Sequence, residues 1–178
     1  MSSTGRDPLA PIAQRPYMPG YGLSPDLAGL LPWSWAEERL TASRNYFVST
    51  VSPEGRPHCV PVWGVWLEGR FFFSTGARSR KARNLARSPR CVVCTEGGGE
   101  SVIVEGEAQV LSDEALFGRF ADAYHAKYAF RPEPNGDPVF VVSPEVAFGF
   151  IESEEFMATA TRWRFSHGHA EGHQGRGG

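Results

Sequence analysis

The sequence predicts a single mainly β domain, a sheet or barrel with flanking helices. Three observations predict it. From Asn45 to Thr75, strand-like runs alternate with short turn signals in the manner of tandem hairpins. Two further pairs of apolar runs are written at 91–111 and 139–151, and helical signals are confined to short segments before and between these runs. A chain of 178 residues with this apolar and aromatic content suits one domain with a core of its own.

The elements follow in order. Residues 1–32 carry Pro8, Pro11, Pro16, Pro19, Pro25 and Pro32 without apolar periodicity, and are expected as a flexible arm. Ser34 and Glu37 have capping-box spacing and open a helix to about Ser43. Strands are expected at Tyr46–Ser52, Pro57–Leu67 and Arg70–Thr75, turning at Pro53–Gly55 and at Glu68–Gly69. Pro61 inside the second run marks an edge strand, a bulge, or a place where something other than a strand lies alongside, such as a planar ligand. Gly76 breaks the third strand, Ser79 caps a short helix and Pro89 ends it. Strands Cys91–Thr95 and Ser101–Leu111 turn about Gly97–Gly99.

Ser112 is placed to cap a longer helix whose Leu116, Phe117, Phe120, Tyr124 and Tyr128 form one apolar stripe, read as core. After a proline-rich loop come Val139–Ser143, Val146–Ile151 and a last strand, Thr159–Phe165. On that strand Arg162 and Arg164 share one face, and Trp163 and Phe165 the other. The domain therefore runs 33–165. The tail 166–178 is rich in glycine and histidine; His167, His169 and His173 lack the fixed geometry a metal site needs, so no metal is expected.

Charge narrows the partners. The net charge of −2 argues against a nucleic-acid coat, and no stretch resembles a signal peptide or reaches membrane-spanning length. Lys81 and Lys127 are the only lysines, so basic clusters here are built of arginine, which favours planar oxyanions. Cys59, Cys91 and Cys94 form an odd set without disulfide spacing, which fits a reducing compartment, the cytoplasm. Cys91 and Cys94 stand three apart in a strand and so point to opposite faces.

One turn carries chemistry. Ser74, Thr75 and Ser79 bring hydroxyls, and Arg78, Arg80 and Lys81 bring charge, to the start of a helix whose free N–H groups favour an anion such as a phosphate. The same run also fits a solvated basic helix face. His58 alternates onto one face with Val60 and Val62, where it can serve a ligand or pack as a structural residue. Tyr46 and Trp63 are candidate pocket walls or core aromatics.

The order of helix, three-strand meander, the helix Ser79–Arg80–Lys81–Ala82–Arg83–Asn84–Leu85–Ala86–Arg87–Ser88–Pro89, long hairpin, helix and final strands resembles the pyridoxamine 5′-phosphate oxidase-like split β-barrel family of flavin and deazaflavin oxidoreductases. The likeness covers Trp33–Phe165. The segments Gly55–Trp63, Ser79–Leu85 and Thr161–Phe165 resemble most the branch that uses coenzyme F-420. The resemblance implies a homodimer with cofactor sites at the subunit interface. It also implies a cofactor ring along Val60, Pro61, Val62 and Trp63, and a cofactor phosphate at Ser74, Thr75, Ser79, Arg80 and Lys81. Arg78, Arg83 and Arg87 would then meet the glutamyl tail of F-420, His58 is the catalytic candidate, and Tyr46 and Arg162 would contact substrate or the partner subunit. The activity implied is hydride transfer to a small electron-poor acceptor, with FMN-dependent oxidase or reductase chemistry and non-catalytic flavin or haem binding as the alternatives. A cofactor that carries the chemistry explains why the chain shows no acid pair and no Ser-His-Asp set.

Overall fold

The computed structural model describes residues 10–166. In chain order the elements are β1 (Ile12–Gln14), α1 (Trp33–Ala42), β2 (Tyr46–Val51), β3 (Pro57–Val62), β4 (Gly64–Leu67), β5 (Arg70–Ser74), α2 (Arg80–Arg87), β6 (Arg90–Thr95), β7 (Glu100–Val110), α3 (Glu114–Tyr128), β8 (Val139–Ile151), α4 (Phe156–Thr159) and β9 (Thr161–Arg164). All strand pairs are antiparallel, in the order β1-β9-β8-β7-β6-β2-β3, and β5 joins β4 to β8.

Two irregularities split this sheet. Val139–Val142 of β8 pair with β5, whereas Val146–Gly149 pair with β9, so the strand forks. The fork coincides with a bulge after Glu105, where Gly106 opposes Pro144; a Cβ on Gly106 would lie 2.1 Å from the Ser143 carbonyl oxygen. The second irregularity is Trp63, a one-residue break between β3, which pairs with β2, and β4, which pairs with β5. The expected strand Pro57–Leu67 is thus two strands serving two limbs of the barrel. The expected pair 139–143 and 146–151, by contrast, is one strand, because Pro144 sits at the fork without interrupting it.

Alternation sorts the side chains. Tyr46, Val48, Val93, Val102, Val104, Ala147 and Trp163 point into the barrel with Phe71 and Phe73. Val65, Phe72, Val139 and Val141 point the other way, onto the α3 stripe of Leu116, Phe120, Tyr124 and Tyr128. The stripe is core, as its spacing predicts.

Several caps and ends differ from expectation. Pro32, not Ser34, precedes the first helical residue, and no side chain caps α1, so the Ser34–Glu37 box is not formed. Asp113 rather than Ser112 caps α3, accepting from the Leu116 N–H at 2.9 Å. Thr159 closes α4 and β9 starts only at Thr161. Residues 10–32, expected as a flexible arm, lie docked on the barrel. β1 pairs with β9, the Leu31 N–H donates to buried Thr161 Oγ1 at 2.8 Å, and the Arg15 guanidinium donates to the carbonyls of Asp26, Ala28, Ala158 and Ala160. Proline content removes helix and strand propensity but not the ability to donate to and accept from a neighbour already folded. His167, His169 and His173 lie outside the described residues.

Candidate cofactor site

The turn between β5 and α2 forms as its residue types dictate. Ser79 adopts an extended conformation and its Oγ accepts from the Ala82 N–H at 3.2 Å, a side-chain N-cap. Thr75 Oγ1 donates to the same oxygen at 3.2 Å, and the Ser79 N–H donates to the Gly76 carbonyl at 2.8 Å, closing the turn. The Thr75 N–H is pinned to the Pro138 carbonyl at 3.2 Å, and Ser74 approaches the Asp137 and Pro138 carbonyls. The three hydroxyls are therefore organised by the backbone and by one another.

Among the described residues, the cations around this turn form no close ion pair. Arg39, Arg70, Arg90, Arg119 and Arg131 each lie within ion-pair distance of a carboxylate. Among the described residues, Arg78, Arg80, Lys81, Arg83 and Arg87 have no such partner. Only Glu54 of the β2–β3 turn comes near enough to feel Arg80, which helps hold its carboxyl below the usual range after its hydrogen bond to Ser52. Arg80, Arg83 and Arg87 line a groove with Ser52, Pro53, Glu54 and Asn84. Lys81 sits half-buried at the edge of the helix face that carries Ala82 and Leu85, and desolvation pushes its ammonium pKa down.

Inside the barrel, α2 reaches β2 through buried Asn84, whose Nδ2 donates to Thr50 Oγ1 at 2.9 Å. Thr50 pairs across the strands with His58, and the His58 Nδ1 is buried with no hydrogen-bond partner. Val60 and Val62 follow His58 on this inward face, and Pro61 faces outward. β3 is an edge strand, where the missing N–H of Pro61 is tolerated.

Of the other expected site residues, one is excluded by burial. Tyr46 is fully buried, its hydroxyl donating to the Leu40 carbonyl and accepting from Lys127 Nζ at 2.7 Å, so it stabilises the core and cannot wall an open pocket. Trp63 is 44% exposed and stacks on Tyr128 at 4.8 Å with 7° between the rings. Arg162 lies on β9, at the opposite end of the strand path from β3.

Register adds a feature that motif reading missed. Pro61, Phe47, Cys94, Ile103, Phe148, Arg162 and Gln14 stand opposite one another in turn, one from each of seven strands, as a single row across the outer sheet face. The row is apolar in its middle and exposed to half-buried, with Phe47 41% exposed. The signal lay in the alternation of each strand, but pairing had to be known before the row could be seen.

A model of the pyridoxamine 5′-phosphate oxidase family matches residues 35–151. The chain belongs to that family. Among solved structures, a conserved hypothetical protein from Mycobacterium tuberculosis aligns with a TM-score of 0.62 at 20% identity, over 73% of this chain and 89% of that one. The structure of an F420 reductase aligns with a TM-score of 0.50 at 20% identity, over 62% of this chain and 94% of that one. A haem-binding protein from Mycobacterium smegmatis aligns with a TM-score of 0.54 at 19% identity, over 74% of this chain and 56% of that one. At these identities the shared property is the fold. A search of curated proteins finds no match. As a family member the chain has the fold of proteins that bind flavins or deazaflavins. No helix among the described residues is long and apolar enough to cross a membrane.

Proposed function

We propose that this protein is an oxidoreductase that binds reduced coenzyme F-420 and presents it to a small electron-poor acceptor. The observation that carries the reading is the set of five cations on and before α2 without carboxylate partners among the described residues. It fits the group: the capped turn, with Lys81 and Arg80 beside it, suits a phosphate, and Arg83 and Arg87 in the adjoining groove suit a chain of further carboxylates. One phosphate alone, as in FMN, needs fewer cations. The likeness to an F420 reductase supports the same choice at the level of fold.

When bound, the deazaflavin supplies the hydride; the residues of this chain hold and shield it. Thr75 and Ser79 fix the turn, and Lys81 neutralises the phosphate. The edge strand β3 offers its unpaired backbone edge and outward-facing Pro61 to a flat ring, with Val60 and Val62 packed behind. His58 Nδ1, buried and without a hydrogen-bond partner, is the group on β3 that still has one hydrogen bond to make. In this reading two copies associate through the apolar row on the outer face, which brings Arg162 at the β9 end of one copy toward the β3 end of the other.

Absorbance and fluorescence titration of the purified protein with F-420 and with FMN tests the proposal. Tighter binding of F-420 is expected. Co-purifying FMN that F-420 fails to displace would establish the FMN-dependent alternative, and binding of haem with neither flavin would point to a carrier.

A further inference from the structure

Helix α2 sends a polar side chain into the barrel wall. Lys81, Asn84 and Leu85 share one face of the helix at i, i+3 and i+4, and Asn84 is buried there beside Leu85. A buried amide needs a partner, and Asn84 Nδ2 donates to Oγ1 of the equally buried Thr50 at 2.9 Å. That bond takes a lone pair of the hydroxyl and leaves its proton to give. Among the described residues no acceptor holds that proton. Directly opposite Thr50, on the same inward face of β3, stands His58, whose Nδ1 is buried with no hydrogen-bond partner.

The two groups complement each other in valence: a proton without an acceptor faces a nitrogen without a donor. Residues directly opposite on neighbouring strands have Cβ atoms about 5 Å apart, so rotation of the hydroxyl and the imidazole about their χ angles joins them. Leaving both groups unsatisfied inside the barrel costs more than the rotation. A neutral imidazole whose Nδ1 accepts carries its proton on Nε2. The ring is half-buried with Nδ1 on its buried side, so Nε2 is the nitrogen left for a ligand, and it has a proton to donate and no lone pair to act as a base.

We propose that Asn84 and Thr50 are positioning residues that fix His58 as the Nε2–H tautomer, so that His58 donates a hydrogen bond to an oxygen of the bound cofactor and does not serve as a base. The donor role rests on the oxidoreductase reading; the tautomer does not. It is read from the ring nitrogen shifts of the ligand-free full chain labelled with ¹⁵N-histidine, at about pH 8.5, well above the roughly 6.5 at which an ordinary histidine titrates. The chain has five histidines, and the His58 signals are those that His58→Gln removes.

The parent is expected to show a protonated Nε2 and a bare Nδ1. Thr50→Val, which keeps the shape and loses the hydroxyl, should move both nitrogen shifts toward the average of the two tautomers. Asn84→Asp, which takes the Thr50 proton for itself, should do the same, and Thr50→Ser should hold the parent state. In titrations with FMN and F-420, His58→Leu should weaken binding by about tenfold, whereas His58→Gln, whose amide nitrogen stands in for Nε2–H, should stay within about threefold. Riboflavin measured beside FMN names the acceptor: loss with FMN alone supports the phosphate, and loss with both supports the ring. A protonated Nδ1 in the parent, or shifts that neither Thr50→Val nor Asn84→Asp moves, overturns the positioning. Unchanged FMN and F-420 affinity in His58→Leu overturns the donor role. A parent that binds neither FMN nor F-420 is a separate result: it removes the oxidoreductase reading and the donor role with it, while the same ligand-free spectra decide the tautomer. The parent spectrum alone decides it even where Thr50→Val fails to fold.

Discussion

Lys81 and Lys127, the only lysines in the chain, are both desolvated, and they differ in what satisfies them. Lys127 has three oxygen acceptors; Lys81 has none among the described residues. Lys81→Ala should therefore leave the fold intact and weaken cofactor binding by about 1.5 kcal/mol, the low end for a charge-assisted bond because the amine is only half-buried. Equal affinity of a folded variant in the flavin titration would return Lys81 to a solvated face. For Lys127, burial lowers the pKa to about 8, below the roughly 10.4 of an unfolded lysine. Between those values the unfolded chain keeps a proton that the folded chain has lost, so this residue makes stability rise with pH across the window and adds no slope below it. Cys91 acts in the opposite sense, since burial pushes its thiol up to about 12 and the folded chain keeps a proton that the unfolded chain releases. Urea unfolding of Lys127→Met against the parent isolates the first effect: the variant should gain less, or lose more, stability than the parent between about pH 8 and pH 10.

Among the elements, those whose signal is local were readable in the sequence. Ser79 and Pro89 bound α2 because a cap and a missing N–H act within one turn, and the Glu68–Gly69 turn forms with both residues at positive φ, as a two-residue hairpin loop requires. Elements decided at a distance were not. Trp63 belongs to an apolar run that reads as one strand, and only the competing demands of β2 and β5 divide it. The leader 10–32 has no periodicity of its own and is ordered by partners on β9 and α4. Arg15 is the centre of that docking, a guanidinium surrounded by carbonyls of two segments. Arg15→Ala should lower stability by about 2–3 kcal/mol, because four carbonyls lose a charged donor, and should expose residues 10–32 to protease; an unchanged melting temperature and digestion pattern would contradict the assignment.

At the scale of the whole molecule, the uncovered outer face and the unpaired cations of α2 call for different partners. In the proposed reading the face takes a second copy of the chain, since its centre of Phe47, Cys94, Ile103 and Phe148 is apolar and its ends are polar. Phe47→Glu should shift sedimentation from dimer to monomer and weaken cofactor binding with it, whereas a parent that sediments as a monomer at full cofactor affinity would end the shared-site reading. Of the site itself, the capped turn between β5 and α2 was evident from residue types alone. Tyr46 was misplaced because an aromatic at a strand start has the same sequence signature in a wall as in a core, and the transverse row needed strand pairing that no local pattern encodes.

The central claim is that the α2 cations hold an anionic cofactor larger than one phosphate. Titration with F-420 of short and long glutamyl tails, repeated over a salt series, tests it most directly. Each added carboxylate is expected to strengthen binding by about 0.2–1 kcal/mol at low salt, and the gain should fall as salt screens the exposed groove. Affinity independent of tail length and of salt, or no F-420 binding beside tight FMN binding, would contradict it.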